Sequence, residues 1–523
     1  MKTNKIIIVG GGSAGWMTAA TLISQFPDKD ISLIESPNIA TVGVGESTIG
    51  QINDWMSLLG IKDEDFMKHT DASYKLSIRF ENFYKKGDGG FHYPFGTMYE
   101  NDYDRKTWWY KKMISDDLPY TDFANSMYDQ MSLVNNNTIF KNEKSELPSF
   151  NFKADTAYHF DATKFGLWLK EHYCLPRGVK HYIGNVKPIG DENGIKELKV
   201  DDISFEADLF IDCTGFASIL LSKTLKEPFE SYSDILPNNK AWATRVPYSN
   251  KEEQLEPFTN CTALENGWVW NIPSWERIGT GYVYSDKFVS DEEALEQLKN
   301  HLSEKGLDYS NSQFKNIKMR VGIHKRLFVK NVVAIGLSSG FIEPLESNGL
   351  YTTHEFLLKL VRTLGRGNSD SVNQYDKDVF NTVCKAQFRG FAEFVALHYA
   401  LSHRDDTEYW KDISEKVFDN KMIEQKLAFQ PGLLTNAFDK FERRGFPEFG
   451  GINCIATGMR YLPIDKYLGR YYKHIDSMNE LVQVVFDSHR KEFEKMKKNK
   501  EDWNEIAKKQ LSLKQYLEKY IHN

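Results

Sequence analysis

The sequence predicts an α/β fold in which a discontinuous, Rossmann-like FAD-binding domain carries an inserted sheet and a mostly helical substrate-binding region. Three observations point there. A β-branched run, Ile6-Ile7-Ile8-Val9, meets the glycine turn Gly10-Gly11-Gly12-Ser13-Ala14-Gly15, with a helical apolar pattern behind it. Buried strand followed by glycine returns at Ala207–Gly215 and at Asn331–Gly336, each time more than a hundred residues further on. The stretch 226–325 alternates polar and apolar residues, and the chain beyond 366 is mostly helical in pattern.

Ile6 to Val9 lacks polar alternation, as expected of a strand covered on both faces. Trp16, Met17, Ala19, Ala20 and Ile23 supply the apolar positions of the next helix, Pro27-Asp28 stops it, and Ile31 to Ile34 forms a second strand ending at Glu35. Lys2 and Lys5 ahead of the apolar run imitate a signal peptide, but the strand and helix account for the same residues. Gly10, Gly12 and Gly15 spell G-x-G-x-x-G, and Glu35 lies 20 residues past Gly15, where an acid reaches the ribose of a dinucleotide. Without side chains, these glycines let the backbone approach a pyrophosphate at the helix N-terminus. The later glycine turns suit a chain folding back on a larger cofactor, so FAD is preferred to NAD.

Gly43-Val44-Gly45-Glu46-Ser47-Thr48 is a second glycine-rich loop. As an ordinary turn it lets Ser47 or Thr48 cap the helix holding Ile49 and Trp55; as a functional element it lies along the flavin ring. Gly281-Tyr282-Val283-Tyr284 typifies the antiparallel sheet expected over 226–325, with a helix near Asp291 to Leu302. Trp268 and Trp270 fall on one face of a strand, a pair that by itself signals packing. Asp487 to His522 reads as an amphipathic helix docked on the core. These pieces assign 1–100, 155–225 and 326–365 to the FAD-binding domain, and 101–154, 226–325 and 366–523 to the substrate-binding region.

Composition narrows the function classes. With 523 residues the chain has room for two to four structural units. Its 66 Lys+Arg against 73 Asp+Glu, a formal charge of −7, argue against a nucleic-acid binder. No apolar run approaches membrane-spanning length, so no membrane partner is expected. Five scattered cysteines without a CxxC pair argue against a disulfide framework and against a metal site, and fit a reducing cytoplasm.

The motif W-x-W-x-I-P at Trp268–Pro273, the amino-terminal GGGSAGW, the GVGEST loop and Pro344-Leu345-Glu346-Ser347 together resemble the flavin-dependent halogenases of the tryptophan-halogenase family. The resemblance runs along nearly the whole chain, through Lys75 in Ala72-Ser73-Tyr74-Lys75-Leu76, Gly336-Leu337-Ser338-Ser339, and Arg404-Asp405-Asp406-Thr407 before Trp410. It implies a two-component enzyme: a separate flavin reductase supplies FADH2, oxygen and halide (chloride, bromide or iodide) give hypohalous acid, and an internal tunnel delivers that acid to a relay lysine. Lys75 matches the lysine and Glu346 the glutamate beyond it. An ammonium can direct electrophilic halogen, and a carboxylate can stabilise the cationic ring intermediate and accept its proton.

Carried onto this chain, the cofactor-binding residues are Gly10, Gly12, Ser13, Ala14, Gly15, Glu35, Val44, Gly45, Glu46, Gly215 and Leu337. The halide-binding amides are those of Asn348 and Gly349, in a Ser347-Asn348-Gly349 run where the family usually reads Ser-Thr-Gly. Trp268 and Trp270 line the tunnel, and the substrate walls are Tyr93, Phe95, Glu442 and Phe446. Tyrosine stands at Tyr93 where tryptophan-specific members place histidine, and Phe446-Pro447 where they place a Phe-Trp pair, so a wider, less selective pocket is expected, one that takes several small phenols, anilines or indoles and does not prefer free tryptophan. Two alternatives remain at this stage: an FAD-dependent aromatic hydroxylase, for which a barrier and a relay lysine serve no purpose, and a flavin-binding protein without activity. The oligomeric state is unknown.

Overall fold

Ile6 to Val9 forms a strand, Lys5–Val9, at the centre of a six-stranded sheet, where Ile6 and Ile8 face one hydrophobic core with Trp16 while Ile7 and Val9 face another with Leu220 and Leu221. Burial on both faces is why the run carries no polar residue. The computed structural model describes residues 1–37, 46–99, 102–366, 371–420, 449–461 and 478–523. Val44, Gly45, Glu442 and Phe446 lie outside the described residues.

Across the sheet the strands run Phe328–Val329, Val332–Ala334, Leu209–Asp212, Lys5–Val9, Asp30–Glu35 and Lys180–Ile183. All neighbours are parallel except Phe328–Val329 with Val332–Ala334. Ile7 pairs with Phe210 on one side and with Ser32 on the other, so the chain reverses direction across the sheet at Lys5–Val9. Such a reversal opens a crevice at the carboxyl ends of the strands. Helix Ser13–Gln25 begins there, and Asp212 leads into Gly215 beside it.

The inserted sheet has seven strands in the order Lys315–Lys318, Lys240–Val246, Ile278–Tyr284, Gly267–Pro273, Phe258–Leu264, Ser77–Glu81 and Gly90–Pro94, followed on its outer face by helix Asp291–Glu304. Ser77–Glu81 and Gly90–Pro94 pair with this sheet and not with the parallel one, the first parallel to Phe258–Leu264. A third, small sheet joins Glu46–Ser47 and Ser73–Lys75 to the two sides of Ala157–Phe160.

This pairing corrects the reading of Ser47 and Thr48 as helix caps. Ser47 is in a strand opposite His159, Thr48 Oγ1 accepts from the Tyr158 N–H at 2.8 Å, and the helix carrying Trp55 starts later, at Ile52. Beyond 350, among the described residues, the helices are Tyr351–Leu364, Gln374–Ala400, Glu408–Phe418, Phe449–Gly458, Met478–Ala507 and Leu513–Tyr520. The expected C-terminal helix is thus two, the second opened by Ser512, whose hydroxyl accepts from the Gln515 N–H. The first docks on helix Asp102–Ile114, with Leu481, Val482, Phe486 and Phe493 packed on Tyr110.

Candidate active site

The glycine turn is built for close approach. Gly10 has φ +116°, and a Cβ there would fall 2.3 Å from the Cys213 carbonyl oxygen; one on Gly15 would fall 1.8 Å from the Gly10 oxygen. Gly12 caps the helix with extended backbone and no side-chain acceptor, so the first-turn N–H groups and the positive end of the helix dipole face the crevice. Ser13 Oγ donates to the Ala162 carbonyl, Ala14 packs its Cβ against Gly336, and Leu337 follows in the turn Gly336–Ser338. Glu35 ends its strand beside Gly11, its Oε1 held by His181 Nε2 at 2.7 Å and Lys170 Nζ at 3.2 Å. Gly215 adopts φ +64° with open space around it. A pyrophosphate at an uncapped helix end, a ribose at Glu35 and a second approach at Gly215 are what a dinucleotide such as FAD requires, and these residues fit it.

Lys75 is wholly buried at the end of Ser73–Lys75. Its Nζ donates to the Thr48 carbonyl at 3.0 Å and to Ser347 Oγ at 2.7 Å, and stands 4.9 Å from the centroid of the Phe95 ring. Burial pulls its pKa down to about 7, partly offset by the neighbouring Cys261 thiol and Glu346. Ser347, in the left-handed region at φ 57°, also donates to Ser47 Oγ, so the loop before Thr48 and the turn after Glu346 meet through hydroxyls.

Glu346 closes the 3₁₀ turn Pro344–Glu346 and is buried. Burial raises its pKa, opposed by His398 and Lys75. His398 Nε2, from helix Gln374–Ala400, stands 3.1 Å from Oε1, but without hydrogen-bond alignment; among the described residues Nε2 and both carboxylate oxygens have no hydrogen-bond partner. Two buried acceptor atoms without donors among the described residues suit a positive group. The walls nearby are aromatic: Tyr93 meets Phe95 edge-on at 6.0 Å and Phe394 at 6.1 Å.

The tryptophan motif positions this turn. Trp268 Nε1 donates to Glu343 Oε2 at 3.0 Å, and the same oxygen accepts from Asn238 Nδ2 at 2.8 Å and from the Tyr399 hydroxyl at 2.6 Å. Cys261, on the next strand and opposite Trp270, points its thiol at the Leu345 carbonyl at 3.6 Å. Trp270 lies 6.2 Å from Trp268 and packs over Gly281, its indole N–H buried and without a partner among the described residues. The sheet therefore grips residues 343 and 345 on either side of Pro344, directly before Glu346.

Asn348 and Gly349 follow, just ahead of helix Tyr351–Leu364; among the described residues neither backbone N–H has a protein acceptor. The Asn348 carboxamide donates to the Glu343 carbonyl at 3.0 Å, so the departure from threonine braces the turn and leaves the amides unchanged. A Cβ on Gly349 would lie 3.1 Å from Glu46 Oε2. Burial, then the charge of Asp161, pushes Glu46 up to about 7.

The structure thus brings Lys75, Glu346, Asn348, Gly349, Glu46, Tyr93 and Phe95 into one region. Sequence reasoning missed His398, Glu343 and Asn238 as parts of it, and placed Ser347 in the motif without its contact to Lys75. Of these only His398 carries a signal, lying one helical turn after Phe394 on the same face.

A family model described as tryptophan halogenase matches residues 5–467. The chain is 34% identical to the 7-chloro-L-tryptophan 6-halogenase KtzR of Kutzneria sp. (strain 744), over 87% of this chain and 90% of the relative. Among solved structures, apo VirX1 superposes with TM-score 0.87 at 38% identity, covering 100% of both chains. Tar14, a tryptophan C-6 flavin-dependent halogenase (chlorinase) from taromycin biosynthesis, gives TM-score 0.81 at 29% identity, covering 99% of this chain and 100% of its own.

Proposed function

Because the chain belongs to the tryptophan halogenase family, and is an FADH2-dependent enzyme that uses oxygen and halide to halogenate an electron-rich aromatic molecule, we propose that Lys75 and Glu346 are its catalytic pair. It depends on a separate flavin reductase. The observation that carries the pair is the buried Lys75 ammonium fixed on Ser347, the residue after Glu346. A hydroxylase reading is not favoured by the relatives.

Gly10, Gly12, Ser13, Ala14, Gly15, Glu35, Gly215 and Leu337 would hold FAD, with Val44 and Gly45 as further contacts. Reduced FAD, when bound, supplies with oxygen the two-electron oxidation of halide to hypohalous acid. Lys75 donates a hydrogen bond to the oxygen of that acid, which leaves the halogen more electrophilic and aims it at the aromatic walls. Glu346 stabilises the ring cation with its buried carboxylate and removes the ring proton. Trp268 and Trp270 fence the path while Trp268 anchors the Glu346 turn through Glu343. Reduced flavin from a partner reductase and five buried, unpaired cysteines support a cytoplasmic location. Among the described residues no helix is long and apolar enough to cross a membrane.

The Asn348 and Gly349 amides, at a helix N-terminus, form the halide site in this reading. Bromide and iodide, less costly to strip of water and easier to oxidise, are expected to be used at least as readily as chloride. Equal-concentration competition giving mainly chlorinated product would refute this. Glu46 adds a pH dependence: raised to about 7, it is neutral below that pH and ionises above it, beside the anion. Apparent halide affinity should therefore fall as pH rises through about 7, and Glu46→Gln should flatten that fall in a titration of halide against rate. A fall of the same size in the variant would remove Glu46 from the halide site.

KtzR acts on 7-chloro-L-tryptophan and Tar14 on C-6 of tryptophan. Here Tyr93 and Phe95 are substrate walls, with Glu442 and Phe446 proposed on the opposite side, and Gly451 offers no side chain toward Tyr93. A missing indole face forfeits roughly 0.5–1.5 kcal/mol of ring pairing. We expect several phenols, anilines or indoles to be halogenated with kcat/KM at or above that for free tryptophan. A kcat/KM for tryptophan well above all of these, with a single regioisomer, would contradict the expectation.

A further inference from the structure

We propose that His398 is a positioning residue that shares one proton with Glu346, and that this proton rests on His398 when the ring reacts, so that Glu346 is the carboxylate. The inference rests on the reading of Glu346 as the base.

His398 is fully buried, its ring 4.4 Å from Phe80, 6.0 Å from Phe83 and 6.2 Å from Phe394. Its Nδ1 lies 3.0 Å from the Val395 carbonyl oxygen. A carbonyl only accepts, so Nδ1 carries a hydrogen and a neutral ring would present a bare Nε2 lone pair. That nitrogen faces Glu346 Oε1 at 3.1 Å. Two unprotonated atoms at this separation repel in a region without water contact, whereas one proton between them turns the contact into a charge-assisted bond. The terminal torsion of a glutamate is soft, so a small turn of the carboxyl aligns the pair.

Among the described residues, the other titratable groups facing the pair are Lys75, Cys261 and Cys454 toward Glu346, and Glu343 toward His398. Lys75 and the imidazolium both favour ionised Glu346, while burial favours the neutral acid. Without the imidazolium, Glu346 would be neutral over more of the neutral range and unable to take a proton.

The step balances. The C–H pair returns to the ring as the proton moves to Glu346, and the hydroxide left when hypohalous acid gives up its halogen takes that proton as water. His398 ends the cycle as it began.

The test is the pH profile of indole bromination by wild type, His398→Leu, His398→Gln and Glu346→Gln, with reductase, NADH, FAD and oxygen supplied alike. Removing the cation is expected to move the acid limb of both His398 variants upward by about 1–3 pH units, the range an opposite charge commands, with activity regained at higher pH. A uniform loss at every pH, or an unmoved limb, overturns the proposal, because a merely structural histidine would give those results. Wild-type rates in Glu346→Gln would instead overturn the reading of Glu346. In the ligand-free protein, ring-¹⁵N histidine spectra should show Nε2 of His398 protonated at pH 7 and released in Glu346→Gln; a bare Nε2 in the wild type overturns the proposal.

Discussion

Lys75→Ala is expected to abolish halogenation while FAD still binds, because Lys75 contacts Thr48, Ser347 and Phe95 and none of the glycines of the cofactor turn. Removing a positioned proton donor typically lowers a rate by about 10²–10⁴-fold, and here the same group also aims the oxidant. Lys75→Met fills the space without a charge and should be as inactive. Neither variant should be less stable through loss of charge, since the wild type keeps an ammonium out of water at a cost large enough to bring its pKa down to about 7. The measurements are product formation with excess reductase and FAD binding by fluorescence quenching. Turnover like that of the wild type would remove Lys75 from the chemistry; lost FAD binding would make its role one of folding.

Glu346→Gln keeps the shape of the side chain and removes the charge that faces the ring cation. The expected loss is about 2–4 kcal/mol of transition-state stabilisation, roughly 30- to 10³-fold in rate, with substrate binding little changed. Single-turnover rates with preformed reduced flavin separate this from slow flavin supply. A rate within error of wild type would remove the Glu346 carboxylate from the rate-limiting chemistry.

The parallel sheet was readable because its signals are local: a strand without polar residues, a turn of glycines, and an acid one strand later all lie within 35 residues. The proposed catalytic pair was suggested only through resemblance. Lys75 meets Ser347 across 272 residues of sequence, and periodicity carries no information at that range. Ser47 and Thr48 show the same limit from the other side. Their place directly before Ile49 fits a cap for a helix starting there, yet the helix starts at Ile52 and Ser47 and Thr48 pair instead with His159 and Tyr158, which also brings Ser47 to Ser347. His398 sits among Phe388, Phe391 and Phe394 in a helix whose sequence reads as core, and only the Glu346 turn arriving from another element makes it more than that.

Helix Phe449–Gly458 lies against the strand bearing Tyr93 with no room for a methyl group at two of its positions. A Cβ on Gly451 would come within 2.8 Å of both Tyr93 and Phe394, and one on Gly458 within 2.4 Å of the Phe91 ring. These two glycines therefore fix the gauge of the aromatic wall, and a search for variants with altered substrate range gains nothing by varying them. Diversity introduced at Tyr93 or Phe394, where a smaller ring opens space without lifting the helix, is the productive route, and descendants of this enzyme that change their aromatic acceptor are expected to have drifted there first.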